Sequence, residues 1–292
     1  MEKELLLIEL VSNVCKDIIG LSAITSLEMP MLIKMKKNDY DNLLKSRYTG
    51  IVKREEKDLD RVDEKIKPLV SILEKETSKK NLNNVYRNIK NLSLNKNTML
   101  YLIGWNGSYN VKNNEIKYSS NISIPHEFMH MSSAFFDEKT NTTYDGFLVS
   151  NKNGRVGVGL NEGYTELLAA RKFRNGKVKA YKKEVKLASI IEKFFYKNND
   201  MEDYYFNHDI PGFMFYMSQY ASHEELKELI KDIDLMTDTN KFLSSSPNYY
   251  YLKCLNRLNN MSKSTNLSPK QKEEISSMIN ENKVMNLKNN LI

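Results

Sequence analysis

The chain has 292 residues, 40% hydrophobic and 28% charged, a length and composition that suit one large globular domain or two moderate ones. Its net charge is +7 and its pI about 9.0, yet basic residues are mixed with acids throughout, as in Lys53-Arg54-Glu55-Glu56-Lys57-Asp58; without a basic stripe or an aromatic platform, no nucleic-acid partner is expected. Cys15 and Cys254 are too few and too isolated for a disulfide framework, and the opening Met1-Glu2-Lys3-Glu4, with Leu5 to Ile8 soon interrupted by Glu9, reads as neither signal peptide nor membrane span, so a cytoplasmic location is expected.

Apolar residues at Leu6, Leu7, Leu10, Val11, Val14, Ile18 and Leu21 predict a helix over residues 3 to 25. Val62, Ile66, Leu69, Val70 and Leu73 repeat that spacing in a charge-dense stretch where Pro68 marks a kink or boundary. Residues 1–95 are therefore read as a mainly helical N-terminal region. The run Met99 to Ile103 suits a buried strand. Tyr109 to Val111 and Glu115 to Tyr118 flank Asn113-Asn114 as a hairpin. A helix opening near Pro125, a residue favoured in the first turn, is predicted to run to about Phe136. A polar loop, Asp137 to Thr143, follows. Phe147 to Ser150 and Arg155 to Val158 bracket Asn153-Gly154 as a second hairpin, after which Gly157 and Gly159 precede a helix from near Asn161. Beyond Phe173 the pattern is helical, with one apolar face from Val185, Leu187, Ala188, Ile191, Phe194 and Phe195. Ser222-His223-Glu224-Glu225 and Ser268-Pro269-Lys270-Gln271 have capping-box form and open two later helices. The last ten residues are polar and are expected to fray.

Residues 126 to 130 read His-Glu-Phe-Met-His. Two histidines four apart share one helix face, with the glutamate beside it, a geometry that can hold one zinc ion while aiming a carboxylate at its water. Chance produces such a pentapeptide in roughly one chain of this length in 200, so a second feature is needed. It comes in Asn161-Glu162-Gly163-Tyr164-Thr165-Glu166. Catalytic zinc sites usually take three protein ligands, and a glutamate on a second helix can supply the third. Glu162 and Glu166 are four apart and face the same way. One can bind metal while the other hydrogen-bonds a ligating histidine.

Together, His126-Glu127-Phe128-Met129-His130 and Asn161 to Glu166 resemble the gluzincin metallopeptidases. The second segment is similar to the Asn-Glu-x-x-Ser-Asp of thermolysin-like enzymes and, with Leu160, to the Leu-Asn-Glu-Gly of aminopeptidase N-like enzymes. The resemblance covers about residues 98 to 175. It implies that His126, His130 and Glu162 hold one Zn2+, that Glu127 is the general base and proton shuttle, and that Glu166 steadies the first histidine. Related enzymes stabilise the oxyanion with a tyrosine or histidine, for which Tyr144 and His208 are the candidates. The strand from Glu115 to Ser119 would be an edge strand that pairs with an extended substrate. Two departures stand out: the spacer between the helices is longer than in thermolysin-like enzymes, and the Gly-x-Met-Glu-Asn sequence that grips a free amino terminus is absent, which favours endopeptidase over aminopeptidase activity.

The expectation is an α+β, zincin-like fold with a small mixed sheet and two metal-binding helices. Residues 96–176 would form the catalytic core, and a helical region over 177–292 would complete a cleft for a peptide or protein substrate. Against it stand a metallopeptidase-like module without catalysis, a basic nucleic-acid-associated protein whose motif is accidental, and ordinary solvated roles for the histidines and for Glu166, the last as a surface partner of Lys172 or a nearby cation. His223 lacks a second histidine, because Lys227 stands in its place, and is read as surface; Tyr249 to Tyr251, Phe194 and Phe195 are read as core.

Overall fold

The computed structural model describes residues 59–98, 106–196, 200–237 and 247–289. The expected helix over 3 to 25 and the expected strand Met99 to Ile103 lie outside them. Pro68 begins the first helix, α1 (Lys67–Glu76), rather than kinking it, since its missing N–H is no loss in a first turn. Leu69, Val70 and Leu73 form its buried face. A 3-10 turn (Lys79–Leu82) leads into α2 (Asn83–Ile89).

Three short strands follow, β1 (Ser93–Lys96), β2 (Gly107–Asn110) and β3 (Glu115–Tyr118), in the order β1-β3-β2. The pairing of β2 with β3 is antiparallel, as the hairpin around Asn113-Asn114 requires, and Asn114 takes the left-handed conformation that asparagine tolerates. β1 pairs parallel to β3 on its other side. The strand from Glu115 is thus central, which corrects the expectation of an edge strand there. Its period-2 burial fits that place: Ile116 and Tyr118 turn into the core.

α3 (Ile124–Ser133) carries the His-Glu-Phe-Met-His segment and buries every residue except Pro125. It stops three residues short of the expected end. Ser132 and Ser133 turn their hydroxyls onto carbonyls of the last turn, and Asn88 of α2 donates to the carbonyls of Met131 and Ala134. Ala134 then enters β4 (Ala134–Asp137), where Phe135 and Phe136 meet different partners: Phe135 stacks on His208, and Phe136 lies under the Lys112 ammonium. β4 opens an antiparallel sheet with β5 (Thr142–Asp145), β6 (Leu148–Asn151) and β7 (Gly154–Val156), in chain order. The last hairpin turns at Lys152-Asn153, one residue ahead of the expected Asn153-Gly154, because Gly154 already pairs with Asn151 and opens β7.

α4 (Val158–Phe173), three residues longer at its start than expected, is the central helix. It has no cap of its own. Asp234, on α8, receives the Gly157 and Gly159 amides and so satisfies the opening turn with a negative charge, where a helix N-terminus favours one. α5 (Lys182–Glu192) crosses α4 at Gly163, where an added Cβ would come 2.5 Å from the Glu184 backbone. The remaining helices are α6 (Asp200–Phe206), α7 (Ile210–Met217), α8 (His223–Thr237), α9 (Pro247–Met261) and α10 (Pro269–Asn289). Both capping boxes form: Ser222 and Glu225, like Ser268 and Gln271, exchange reciprocal side-chain-to-backbone bonds. α10 continues to Asn289, so the described part of the last ten residues is helical rather than frayed.

The described chain is mixed α+β, with ten α-helices and two small sheets. One hydrophobic core runs from Val62 to Ile279 and draws on the N-terminal helices, the strands and the C-terminal helices alike. Phe194, Phe195 and Tyr251 belong to it, whereas Tyr249 is exposed. Among the described residues no helix is long and apolar enough to cross a membrane.

Candidate metal centre

α3 and α4 lie side by side and bring the two halves of the sequence signature together. His126, His130 and Glu162 offer ligand atoms that all lie within 4.8 Å of one another. The Nε2 atoms of His126 and His130 are 3.1 Å apart, and Glu162 Oε2 stands 3.1 Å from the first and 3.4 Å from the second. Ligands ~2.0–2.1 Å from a zinc ion at tetrahedral angles are separated by roughly 3.3–3.4 Å. The donor set, two imidazole nitrogens and one carboxylate oxygen, is therefore both of the right kind and nearly at the right spacing. Both histidines are buried, while the Glu162 side chain keeps 20% exposure, so the cluster opens to solvent on that side.

Each ring is held from behind. His126 Nδ1 is 3.0 Å from Glu166 Oε2, and His130 Nδ1 is 2.9 Å from Asp145 Oδ2. Burial pulls the His126 imidazole down, but its bonds to Glu162 and Glu166 outweigh this and raise it to about 9. His130 is likewise pulled down by burial and carried well above its ordinary value by Asp145 and Glu162. For Glu162 burial acts upward and the two imidazoles win, leaving its carboxyl well below the usual range. A cation held by these three groups would need both Nε2 atoms without a proton and the carboxylate ionised.

Glu166 is more than a partner of His126. The Arg174 guanidinium donates to its Oε2 at 2.7 Å, and the backbone amides of Lys179 and Ala180 donate to its Oε1 at 2.5 and 3.2 Å. It does not pair with Lys172, which binds Glu202 instead. The carboxylate so gathers the segment 174–181 against the site. That segment ends in Tyr181, a non-glycine residue with φ +50°, whose ring stacks on His126 at 5.5 Å between centroids. Burial, with the nearby charges of Glu162 and Glu127, holds the Tyr181 phenol protonated far above its ordinary value. A strained backbone at the rim of a charged cluster is a feature that commonly accompanies function.

Glu127 sits on α3 beside the cluster, buried, and burial raises its carboxyl above the ordinary value against the pull of the two imidazoles. Gly107, the first residue of β2, backs it: a Cβ there would stand 2.7 Å from Glu127 Oε1. Only a residue without a side chain lets this strand run so close to the carboxylate.

Tyr144 and His208 are brought together with each other rather than with the cluster. Tyr144 neighbours Asp145 on β5 and so points to the opposite face of the sheet. There it and Phe135 pack against the His208 ring. His208 is buried, its Nδ1 near the Ser133 carbonyl and the Asn84 amide, and burial lowers it to about 3. Asp145 and Tyr181 are the residues that sequence reasoning passed over. Asp145 stands in a Tyr-Asp-Gly turn signal with no metal-ligand spacing to single it out, and nothing local marks Tyr181.

No family model, curated protein or solved structure matches the chain.

Proposed function

We propose that this protein is a zinc-dependent metallopeptidase of gluzincin type, with a zincin-like core, acting as an endopeptidase on a peptide or protein substrate. The observation that carries this reading is the triangle of His126, His130 and Glu162 with Glu127 beside it. His126 Nε2, His130 Nε2 and the Glu162 carboxylate would hold the ion. Bound zinc would polarise the scissile carbonyl and acidify a water. Glu127 would accept the water's proton and return it to the leaving amine. Its burial suits that work, because a carboxylate raised toward neutrality both takes and releases a proton readily. Glu166 would keep the His126 ring oriented with its Nε2 toward the ion. The oxyanion donor would be Tyr181 rather than Tyr144 or His208, because its ring stacks on His126 and its phenol stays protonated beside the charges of Glu162 and Glu127. The strand offered to an extended substrate moves from β3 to β2, which has one sheet neighbour among the described residues and passes against Glu127 at Gly107.

The test is metal content by elemental mass spectrometry after extensive dialysis, followed by assay on a mixed peptide library. About one zinc per chain is expected, with internal peptide bonds cut by the wild-type protein. Glu127→Gln is expected to retain the zinc and lose hydrolysis, since it removes the base and no ligand. A chain that takes up no zinc on titration, or undiminished turnover by Glu127→Gln, would overturn the proposal.

A further inference from the structure

The sheet β4 to β7 fills the long spacer between the two ligand-bearing helices, a stretch that the ligand set itself does not call for. Its second strand ends at Asp145, which pairs with Ala134, the residue directly after α3. This register sets the Asp145 carboxylate behind His130: Oδ2 lies 2.9 Å from His130 Nδ1, and Oδ1 lies 3.2 Å from the Ser133 hydroxyl. A second group competes for the same ring nitrogen. Asn161 Nδ2 is 3.3 Å from His130 Nδ1, and the amide cannot be turned round, because its Oδ1 accepts the Phe147 N–H at 3.0 Å.

The two neighbours ask for opposite tautomers. A carboxylate accepts, so Asp145 requires a proton on Nδ1 and leaves the Nε2 lone pair facing His126 and Glu162. An amide nitrogen donates, so Asn161 alone would want Nδ1 bare and the proton on Nε2, where it blocks ligation. The charged bond at 2.9 Å outcompetes the neutral one at 3.3 Å. Gly146, at φ +53°, brings the two rivals close: a side chain there would run into Asn161 Oδ1 and the Tyr205 ring.

Resting on the metal-site reading above, we infer that Asp145 is a positioning residue of the metal centre, which fixes His130 in its ligating tautomer. Each ligating histidine then has a carboxylate of its own, Glu166 from α4 and Asp145 from the spacer sheet, and the spacer sheet is part of the site.

The experiment measures zinc affinity of the full-length protein by competition with a chromophoric chelator, with Zn2+ alone as probe. All variants carry Glu127→Gln, so that hydrolysis plays no part. Asp145→Asn keeps the shape and removes the charge, and zinc affinity is expected to fall roughly ten- to a hundredfold. Adding Asn161→Asp moves a carboxylate to the other neighbour of Nδ1 and is expected to restore part of the loss, which a purely structural role would not do. Should Asp145→Asn fail to fold, Asn161→Ala answers the same question: it removes the competing donor and is expected to keep the parent affinity. Parent-like affinity in Asp145→Asn, no recovery in the double variant, or a loss in Asn161→Ala as large as that expected for Asp145→Asn would overturn the inference while leaving the metal site standing. A parent protein that takes up no zinc would overturn both.

Discussion

Tyr181 differs from the other tyrosines of this chain in what it touches. Tyr164, Tyr205 and Tyr251 are locked in the core, and Tyr144 faces a buried histidine, but Tyr181 stacks on a histidine of the cluster while keeping 38% exposure. Two elements of its surroundings, the stack on His126 and the strap gathered by Glu166, hold it there against an unfavourable backbone angle. Tyr181→Phe is therefore expected to lower kcat by roughly a hundred- to a thousandfold, the usual cost of losing one oxyanion donor, without change in zinc content. Tyr144→Phe should leave kcat near wild type. Steady-state kinetics on one cleaved peptide would decide, and equal effects of the two substitutions would remove Tyr181 from the mechanism.

At the scale of elements, the position of α5 against α4 decides where Tyr181 stands, since Tyr181 is the residue from which α5 starts. The close crossing depends on Gly163, where a methyl group would press on backbone atoms that cannot rotate away. Gly163→Ala is expected to cost about 1–3 kcal/mol, the range for overpacking a tight contact, although alanine is the better helix former. Urea unfolding would measure it; a neutral or stabilising change would show that the helices can part at no cost. The glycine in the Asn-Glu-Gly-Tyr-Thr-Glu segment thus has a packing reason separate from the chemistry of Glu162. A comparable logic joins α8 to the candidate site, because Asp234 closes the N-terminus of the helix that bears Glu162.

Over the whole molecule, His208 links the C-terminal helices to the spacer sheet and makes that link sensitive to pH. Burial sets it to about 3, with the nearby Arg87 acting in the same direction, against an ordinary value of 6.5. Between these values the unfolded chain binds a proton that the folded chain refuses. Its contribution to stability is thus complete above about pH 6.5 and declines as the pH falls toward 3. His208→Gln, which cannot take up that proton, is expected to lose less thermal stability than wild type between neutral pH and pH 4. Parallel curves of Tm against pH for the two proteins would rule this out. Every other titratable group is common to the two proteins, so only the difference between the curves reports on His208.

The sequence by itself determined the parts of this protein whose logic is local. Four-residue spacing puts His126 and His130 on one face of a helix, and Glu162 and Glu166 on one face of another, whatever surrounds them. Turn and cap chemistry marked both hairpins and both capping boxes, because those bonds close within a few residues. The tertiary structure decided what depends on neighbours far along the chain. The strand from Glu115 is central only because β1 arrives on its other side, and α3 ends early because Asn88 and the partners of Phe135 and Phe136 draw the chain into a strand. Asp145 and Tyr181 came to the site in the same way, one by sheet register and the other by a strap folded onto Glu166. Neither carries a periodic signal, since what sets its position is the packing of whole elements and not the geometry of a single helix turn.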